Sequence, residues 1–250
     1  MHCDDCLKGV LHEGTPAGQI IDVGGTEVYY TLPEGEDWDK EKAVVYLGDI
    51  FGFYDNAKLL VDSFARAGWA CYFPDYLNKD AVPARVMSER SGWDMDAWRP
   101  RHGPAATRPP LDKVLKWLRE IKGVKKIGVS GYCFGGKYSL DLAVENAVDA
   151  SVISHPGGIK LPGDLDKLLE VSSVPVLFNA CETDRTWPAE AQKEADEKLG
   201  EGKYKPGYKQ TYSPGCTHGF ATRADLAVPE QKAGKERAFD EAAAWFKEYL

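Results

Sequence analysis

The stretch from Lys126 to Glu145 limits the possible folds more than any other part of the chain. Lys126-Ile127-Gly128-Val129-Ser130 reads as a short buried strand, Gly131-Tyr132-Cys133-Phe134-Gly135 as a sharp turn, and about Gly135 to Glu145 as a helix. Glycines two residues on either side of Cys133, with Gly136 following, have a steric reason. A side chain held at the apex of a tight strand-to-helix turn takes a strained backbone, and larger neighbours would collide with the helix behind it. Cys133 would then stand at a helix N-terminus, where the dipole and free N–H groups favour thiolate. The amide of Phe134, next in the chain, is placed to receive an oxyanion.

The rest of the chain repeats this alternation. Residues 17–32 read as an extended hairpin turning at Gly24-Gly25. Strand-type segments follow at Ala43–Leu47, Trp69–Phe73, Ala150–Ser154, Val174–Asn179 and Lys209–Tyr212, and helix-type segments at Asn56–Ala67, Leu111–Lys122 and Lys235–Leu250. Such alternation predicts a mostly parallel central sheet flanked by helices on both faces, in one domain over residues 1–250. Residues 75–110, rich in Trp, Arg, Met and Pro, carry no clean period and read as an irregular, lid-like or substrate-loop insertion.

Two further loops supply partners for Cys133. Asp184 lies in the loop Ala180-Cys181-Glu182-Thr183-Asp184 after one strand, with Glu182 as competitor for the same role. His218 lies in Ser213-Pro214-Gly215-Cys216-Thr217-His218-Gly219-Phe220 after the next. Nucleophile, acid, histidine is the chain order of an α/β-hydrolase fold. In that arrangement His218 exchanges the proton with Cys133, and Asp184 fixes the imidazole tautomer and stabilises its charge. His155 follows a strand and could line the pocket, though a structural role is the expectation.

With these residues in place the chain resembles the dienelactone hydrolase family along nearly its whole length. The matching pieces are Gly48-Asp49-Ile50-Phe51-Gly52, Phe73-Pro74-Asp75-Tyr76, Gly131-Tyr132-Cys133-Phe134-Gly135-Gly136, Glu182-Thr183-Asp184 and His218-Gly219-Phe220. His12-Glu13-Gly14-Thr15-Pro16-Ala17-Gly18 is similar to the fungal branch. The resemblance implies a triad of Cys133, Asp184 and His218, and a second oxyanion amide from Ile50 beside that of Phe134. It also places Asp49 where family members carry a glutamate that holds the resting thiol neutral. The alternative for Asp49 is a loop carboxylate capping a nearby turn. Where family members hold a substrate carboxylate with two arginines, this chain has Lys79 near one position and Arg223 near the other. Lys79 is a point charge rather than a bidentate fork, so dienelactone itself is not implied. Trp93 and Trp98 in the insertion, Tyr132 beside the nucleophile and Phe220 beside the histidine complete the candidate substrate contacts.

The expected activity is cofactor-independent hydrolysis of carboxylic esters or lactones through an acyl-enzyme. Hydrolysis of a cyclic amide or lactam on the same triad, or a non-catalytic ligand-binding module, are the alternatives. A formal net charge of -8 argues against nucleic acid and anionic membrane as partners. The expected partner is a small-molecule ester or lactone, and the expected state a monomer or homodimer. There is no Walker or G-x-G-x-x-G motif, so no nucleotide is implied. Cys3 and Cys6 with His2 lack a second ligand pair, so no metal site is expected. A polar N-terminus without an apolar h-region, no window of membrane-span length and scattered cysteines predict a cytoplasmic protein.

Overall fold

The computed structural model describes residues 10, 12–86 and 93–250; the Cys3/Cys6 pair and residues 87–92 of the insertion lie outside them. Eight strands form one sheet: β1 (Gln19–Val23), β2 (Thr26–Thr31), β3 (Lys42–Leu47), β4 (Ala70–Pro74), β5 (Lys126–Tyr132), β6 (Ala150–Ser154), β7 (Val176–Thr183) and β8 (Tyr208–Thr217). Their spatial order is β1-β2-β4-β3-β5-β6-β7-β8. β1 and β2 form the expected antiparallel hairpin, β2 pairs antiparallel with β4, and all later pairings are parallel.

The sheet is buried on both faces, which accounts for the continuous apolar runs of its central strands. Ala43 to Leu47 in β3 are fully shielded. On one face Val44 and Tyr46 pack with Phe64 of α1 (Asp55–Arg66) and with Phe239 and Phe246 of the C-terminal helix at Pro229–Tyr249. On the other, Val45 and Leu47 pack with Leu111 of the Pro104–Glu120 helix and Leu140 of the Phe134–Val144 helix. Val44 and Val45 facing opposite cores is the two-residue period of a strand. After β3 the chain turns to β4 on one side, then crosses back to β5 on the other. The crevice at the carboxyl ends of β3 and β5 is therefore a topological switch point, where open α/β sheets place their sites.

Several boundaries differ from those read in the sequence. The helix expected from Leu111 begins at Pro104 and contains Pro109 and Pro110. Both lie in the second turn, so each removes one helical hydrogen bond, to the carbonyls of Ala105 and Ala106. The Ala106 carbonyl that Pro110 leaves free accepts instead from Asn78 Nδ2 at 3.0 Å. β7 continues to Thr183 and β8 to Thr217, so Cys181, Glu182 and residues 213–217 are strand rather than loop. β8 is an edge strand, and Pro214 is tolerated there because its missing N–H need not serve a ladder. Helices at Gly163–Val171 and Ala189–Leu199 were not apparent in the sequence. The second buries only Ala191, Gln192, Ala195 and Leu199, a weak apolar stripe.

The described part of the insertion is anchored to the body. Trp98 is 1% exposed, donates its indole N–H to the Asp80 carbonyl at 2.6 Å and stacks on His102. Arg101 pairs with Asp80 at 3.0 Å, and Val82 N–H donates to the Ile50 carbonyl at 2.8 Å. Among the described residues no helix is long and apolar enough to cross a membrane.

Candidate active site

Cys133 sits between β5 and the helix Phe134–Val144 with φ 51° and ψ -110°, a left-handed backbone for a residue with a side chain. Such strain persists only where the surroundings over-determine it. Here they do: the Cys133 N–H donates to the Ser154 carbonyl at 3.1 Å, and its carbonyl accepts from Gly136 N–H at 3.0 Å and Gly157 N–H at 2.8 Å. A Cβ on Gly131 would strike Ser139 Oγ and the Gly135 carbonyl. One on Gly135 would strike the Leu47 carbonyl oxygen, with Gly48 O at 2.8 Å. The turn thus lies directly against the end of β3, and this brings Ile50 and Phe134 to the same place. Neither the Ile50 nor the Phe134 amide donates a hydrogen bond among the described residues.

His218 follows β8, and its backbone N–H donates to the Thr183 carbonyl at 3.0 Å. The ring Nδ1 lies 3.0 and 2.9 Å from the two oxygens of Asp184, whose side chain is 1% exposed. Glu182, the competitor, is exposed and accepts from Gly215 N–H at 2.8 Å instead. The Asp184 carboxylate also accepts from Thr186 N–H and Thr186 Oγ1, both at 2.8 Å, and from Trp187 N–H at 3.2 Å. Burial pushes the Asp184 carboxyl upward, but hydrogen bonds from His218 and Thr186 outweigh it and hold it below its ordinary value. Burial likewise disfavours the His218 imidazolium. Hydrogen bonding and charge from Asp184 and from the Cys133 side chain outweigh that and raise it to about 10. With Nδ1 on Asp184, Nε2 is the nitrogen left for Cys133.

A second histidine stands behind this one. His155 is fully buried, has φ 37°, and neither ring nitrogen has a hydrogen-bond partner among the described residues. Its ring lies 5.1 Å from that of His218 at 68°, 5.6 Å from Phe220 and 6.0 Å from Tyr132. Burial, then the nearby His218 charge, lowers it to about 3, with Asp184 opposing. The ring is therefore neutral at physiological pH. Its ordinary value of 6.5 applies in the unfolded chain. The unfolded state then takes up the extra proton first as pH falls, and this contribution to stability is full above 6.5 and lost from 6.5 toward 3. The urea midpoint is expected to fall between pH 7 and pH 5, at up to about 1.4 kcal/mol per pH unit from this group. His155→Phe is expected to flatten that slope; an unchanged slope would show that His155 is not the group responsible.

Asp49 is 1% exposed, and its carboxylate accepts from Arg223 Nη1, from Tyr54 Oη at 3.0 Å and from Phe51 N–H at 3.0 Å. Its hydrogen bonds thus go to these three groups rather than to Cys133. The Arg223 guanidinium lies over the Phe51 ring at 5.2 Å and against Gly219, next to His218. Asp49 and Arg223 therefore tie the loop after β3 to the His218 loop. The other sequence candidates sit apart from this cluster or beneath it. Lys79 is exposed and pairs with Glu27 at 2.6 Å. Tyr132 and Phe220 are 2% and 1% exposed and support Cys133 and His155 from within the core. Trp98 packs edge-on to Phe134 at 6.0 Å, and Trp93 is half-buried with no partner for its indole N–H among the described residues. No group of His, Cys, Asp and Glu among the described residues could hold a metal ion. Tyr54 and Thr186 were not singled out for the site from sequence, and only their three-dimensional neighbours mark them; His155, expected to be structural, lies directly behind His218.

This arrangement, a nucleophile elbow above a parallel sheet with acid and histidine on later strands, defines an α/β-hydrolase. The structure superposes on a putative dienelactone hydrolase from Klebsiella pneumoniae with a TM-score of 0.69 at 20% identity, covering 90% of this chain and 93% of that one. It superposes equally, at 21% identity, on a dienelactone hydrolase-like promiscuous phosphotriesterase from metagenomic libraries, covering 94% and 99%. Residues 26–250 match the model of the dienelactone hydrolase family, and the chain belongs to that family as a hydrolase. Similar curated proteins include hydrolase tropI of Talaromyces stipitatus, 32% identical over 98% of this chain and 95% of that protein. Hydrolase pyvD of Aspergillus violaceofuscus is 31% identical over 98% and 96%. Dienlactone hydrolase 1 of Gibberella moniliformis is 29% identical over 98% and 93%.

Proposed function

We propose that this protein hydrolyses carboxylic esters or lactones, without a cofactor, through an acyl-enzyme on Cys133. The observation that carries the reading is the strained Cys133 turn facing a His218 whose Nδ1 is fixed by Asp184. The Cys133 thiolate attacks the acyl carbon, and the oxyanion formed is received by the Ile50 and Phe134 amides. His218 passes its proton to the departing alkoxide as the acyl–oxygen bond breaks, leaving a thioester. His218 then takes a proton from water, the hydroxide adds to the thioester, and the acid leaves as the thiolate reforms. Asp184 keeps Nδ1 protonated throughout. Thr186, which donates to Asp184, holds that carboxylate in place.

A thiolate leaves more readily than an amine anion, so the thiol route favours substrates whose own leaving group departs easily. Against a matched panel of aryl esters, enol-lactones and unstrained cyclic amides, the esters and enol-lactones are expected to turn over at least about 10³-fold faster than the amides. Preferential turnover of the amides would replace this reading with lactam hydrolysis, and turnover of none would leave a ligand-binding module. The expected partner remains a small molecule and the expected compartment the cytoplasm.

A further inference from the structure

We infer that Tyr76 is a positioning residue for hydrolysis at Cys133, holding the loop after β3 and the Cys133 elbow together so that the Ile50 and Phe134 amides meet one oxygen. This rests on the ester-hydrolase reading and names a residue that serves it.

Each amide shares a peptide plane with a carbonyl that is itself held. In a trans peptide the N–H and C=O point in opposite directions. The Asp49 carbonyl accepts from Gly52 N–H at 3.3 Å, so the Ile50 N–H points out of that turn. The Cys133 carbonyl accepts from Gly136 and Gly157 N–H, so the Phe134 N–H points away from both. Local bonds thus set the direction of each amide. The separation between the two depends on what joins the loops that carry them.

Tyr76 joins them. It follows β4, at the start of the 75–110 insertion, and is 1% exposed. Its hydroxyl donates to the Gly48 carbonyl, two residues before Ile50. Its ring stacks on that of Phe134, with centroids 6.0 Å apart and planes 8° from parallel. Burial, then the nearby Tyr138, Cys133 and Asp75, pushes the phenol well above its ordinary value, so the hydroxyl stays a donor at physiological pH. The same insertion supports each loop separately. Val82 N–H donates to the Ile50 carbonyl at 2.8 Å, and Trp98 packs edge-on to Phe134 at 6.0 Å. A Cβ on Gly52 would meet Ala81 Cβ at 2.8 Å, so the turn that carries Ile50 lies directly on the insertion. Donors fixed in advance stabilise charge without reorganising, and a displacement of about 1 Å at such a site costs about 10²-fold in rate.

The test sets two reactions of the same sulfur against each other, in wild type and in Tyr76→Phe. Phenylalanine keeps the ring on Phe134 and removes only the bond to Gly48. Acylation by para-nitrophenyl butyrate passes through a tetrahedral oxyanion; alkylation by iodoacetamide does not. Acylation, read as the first equivalent of para-nitrophenol, is expected to slow about 10- to 100-fold in Tyr76→Phe, less than the about 10²- to 10³-fold for removing an oxyanion donor outright. The loss is expected in kcat, with KM nearly unchanged. Alkylation of Cys133, read by peptide mass spectrometry, is expected to keep its wild-type rate. A lowered urea midpoint with both rates unchanged would make Tyr76 merely structural and overturn the assignment. Both rates falling together would place the effect on the thiolate and overturn it too. Failure of the wild type itself to be acylated would overturn the ester reading instead. One measurement on the wild type stands whether or not the variant folds: the backbone order parameter of the Ile50 N–H, expected near 0.85 without ligand. A value below about 0.6 would show that the loop is not held and would overturn the assignment.

Discussion

Cys133→Ala is expected to lower kcat/KM for an activated aryl ester by about 10⁴-fold or more, with the urea midpoint nearly unchanged. The size follows from the non-additivity of groups that act as a unit: without the sulfur, Asp184 and His218 have no nucleophile to serve. What remains is the modest acceleration from the Ile50 and Phe134 amides and from binding. The stability expectation has its own basis. Cys133 is only half-buried, and the contacts that hold its backbone run through main-chain atoms that alanine keeps. The left-handed φ is retained as strain in both proteins. Cys133→Ser is expected to recover a part of the rate at most, because the imidazolium favoured by Asp184 suits a thiolate better than an alkoxide. Retention of near wild-type kcat/KM by Cys133→Ala would show the chemistry to lie elsewhere.

Gly135→Ala is expected to be the most damaging single methyl addition near the site, costing about 3 kcal/mol or more, or preventing folding. The new Cβ would meet the Leu47 carbonyl oxygen, its carbon at 2.6 Å and Gly48 O at 2.8 Å, all of them backbone atoms at the end of β3. Backbone there cannot swing aside as a flexible side chain would. Any shift would also part the Ile50 and Phe134 amides proposed to receive the oxyanion, so activity is expected to fall beyond what lost stability explains. Gly163→Ala is the control: it has nothing within 4 Å of its Cβ position and no left-handed backbone, so a change under about 0.5 kcal/mol is expected. Equal urea midpoints for the two variants would contradict the close approach of the elbow to β3.

Much of the fold and the core of the candidate site can be read directly in the amino-acid order. Apolar runs such as Ala43–Leu47 and Ala150–Ser154 are buried on both faces, and burial of that kind leaves a strong mark on composition. Gly131, Gly135 and Gly136 mark the elbow because only glycine avoids backbone and side-chain atoms there. The order Cys133, Asp184, His218 carries over into contact because each follows the end of a parallel strand, and parallel strands bring such ends together.

What was not legible depends on contacts between distant segments. The Asp49–Arg223 pair joins residues 174 apart, and nothing local to either marks the other as its partner. Asp49 alone resembles a residue poised over the thiol; its bonds to Arg223, Tyr54 and the Phe51 amide appear only once the loops are folded together. His155 reads as one histidine after a strand, and its placement edge-on behind His218 is set by β6 pairing with β5 and β7. Pro109 and Pro110 lie inside the helix that starts at Pro104, and Asn78, distant in sequence, takes up the carbonyl that Pro110 frees.

The most direct measurement of the central claim is the site of acylation. The protein is incubated with a bulky, slowly deacylating aryl ester such as para-nitrophenyl pivalate, quenched in acid, digested and analysed by peptide mass spectrometry. The account predicts one pivaloyl group, carried by Cys133, appearing in step with the first equivalent of para-nitrophenol released. A pivaloyl group on any other residue, or release of para-nitrophenol with Cys133 left fully alkylatable, would contradict it.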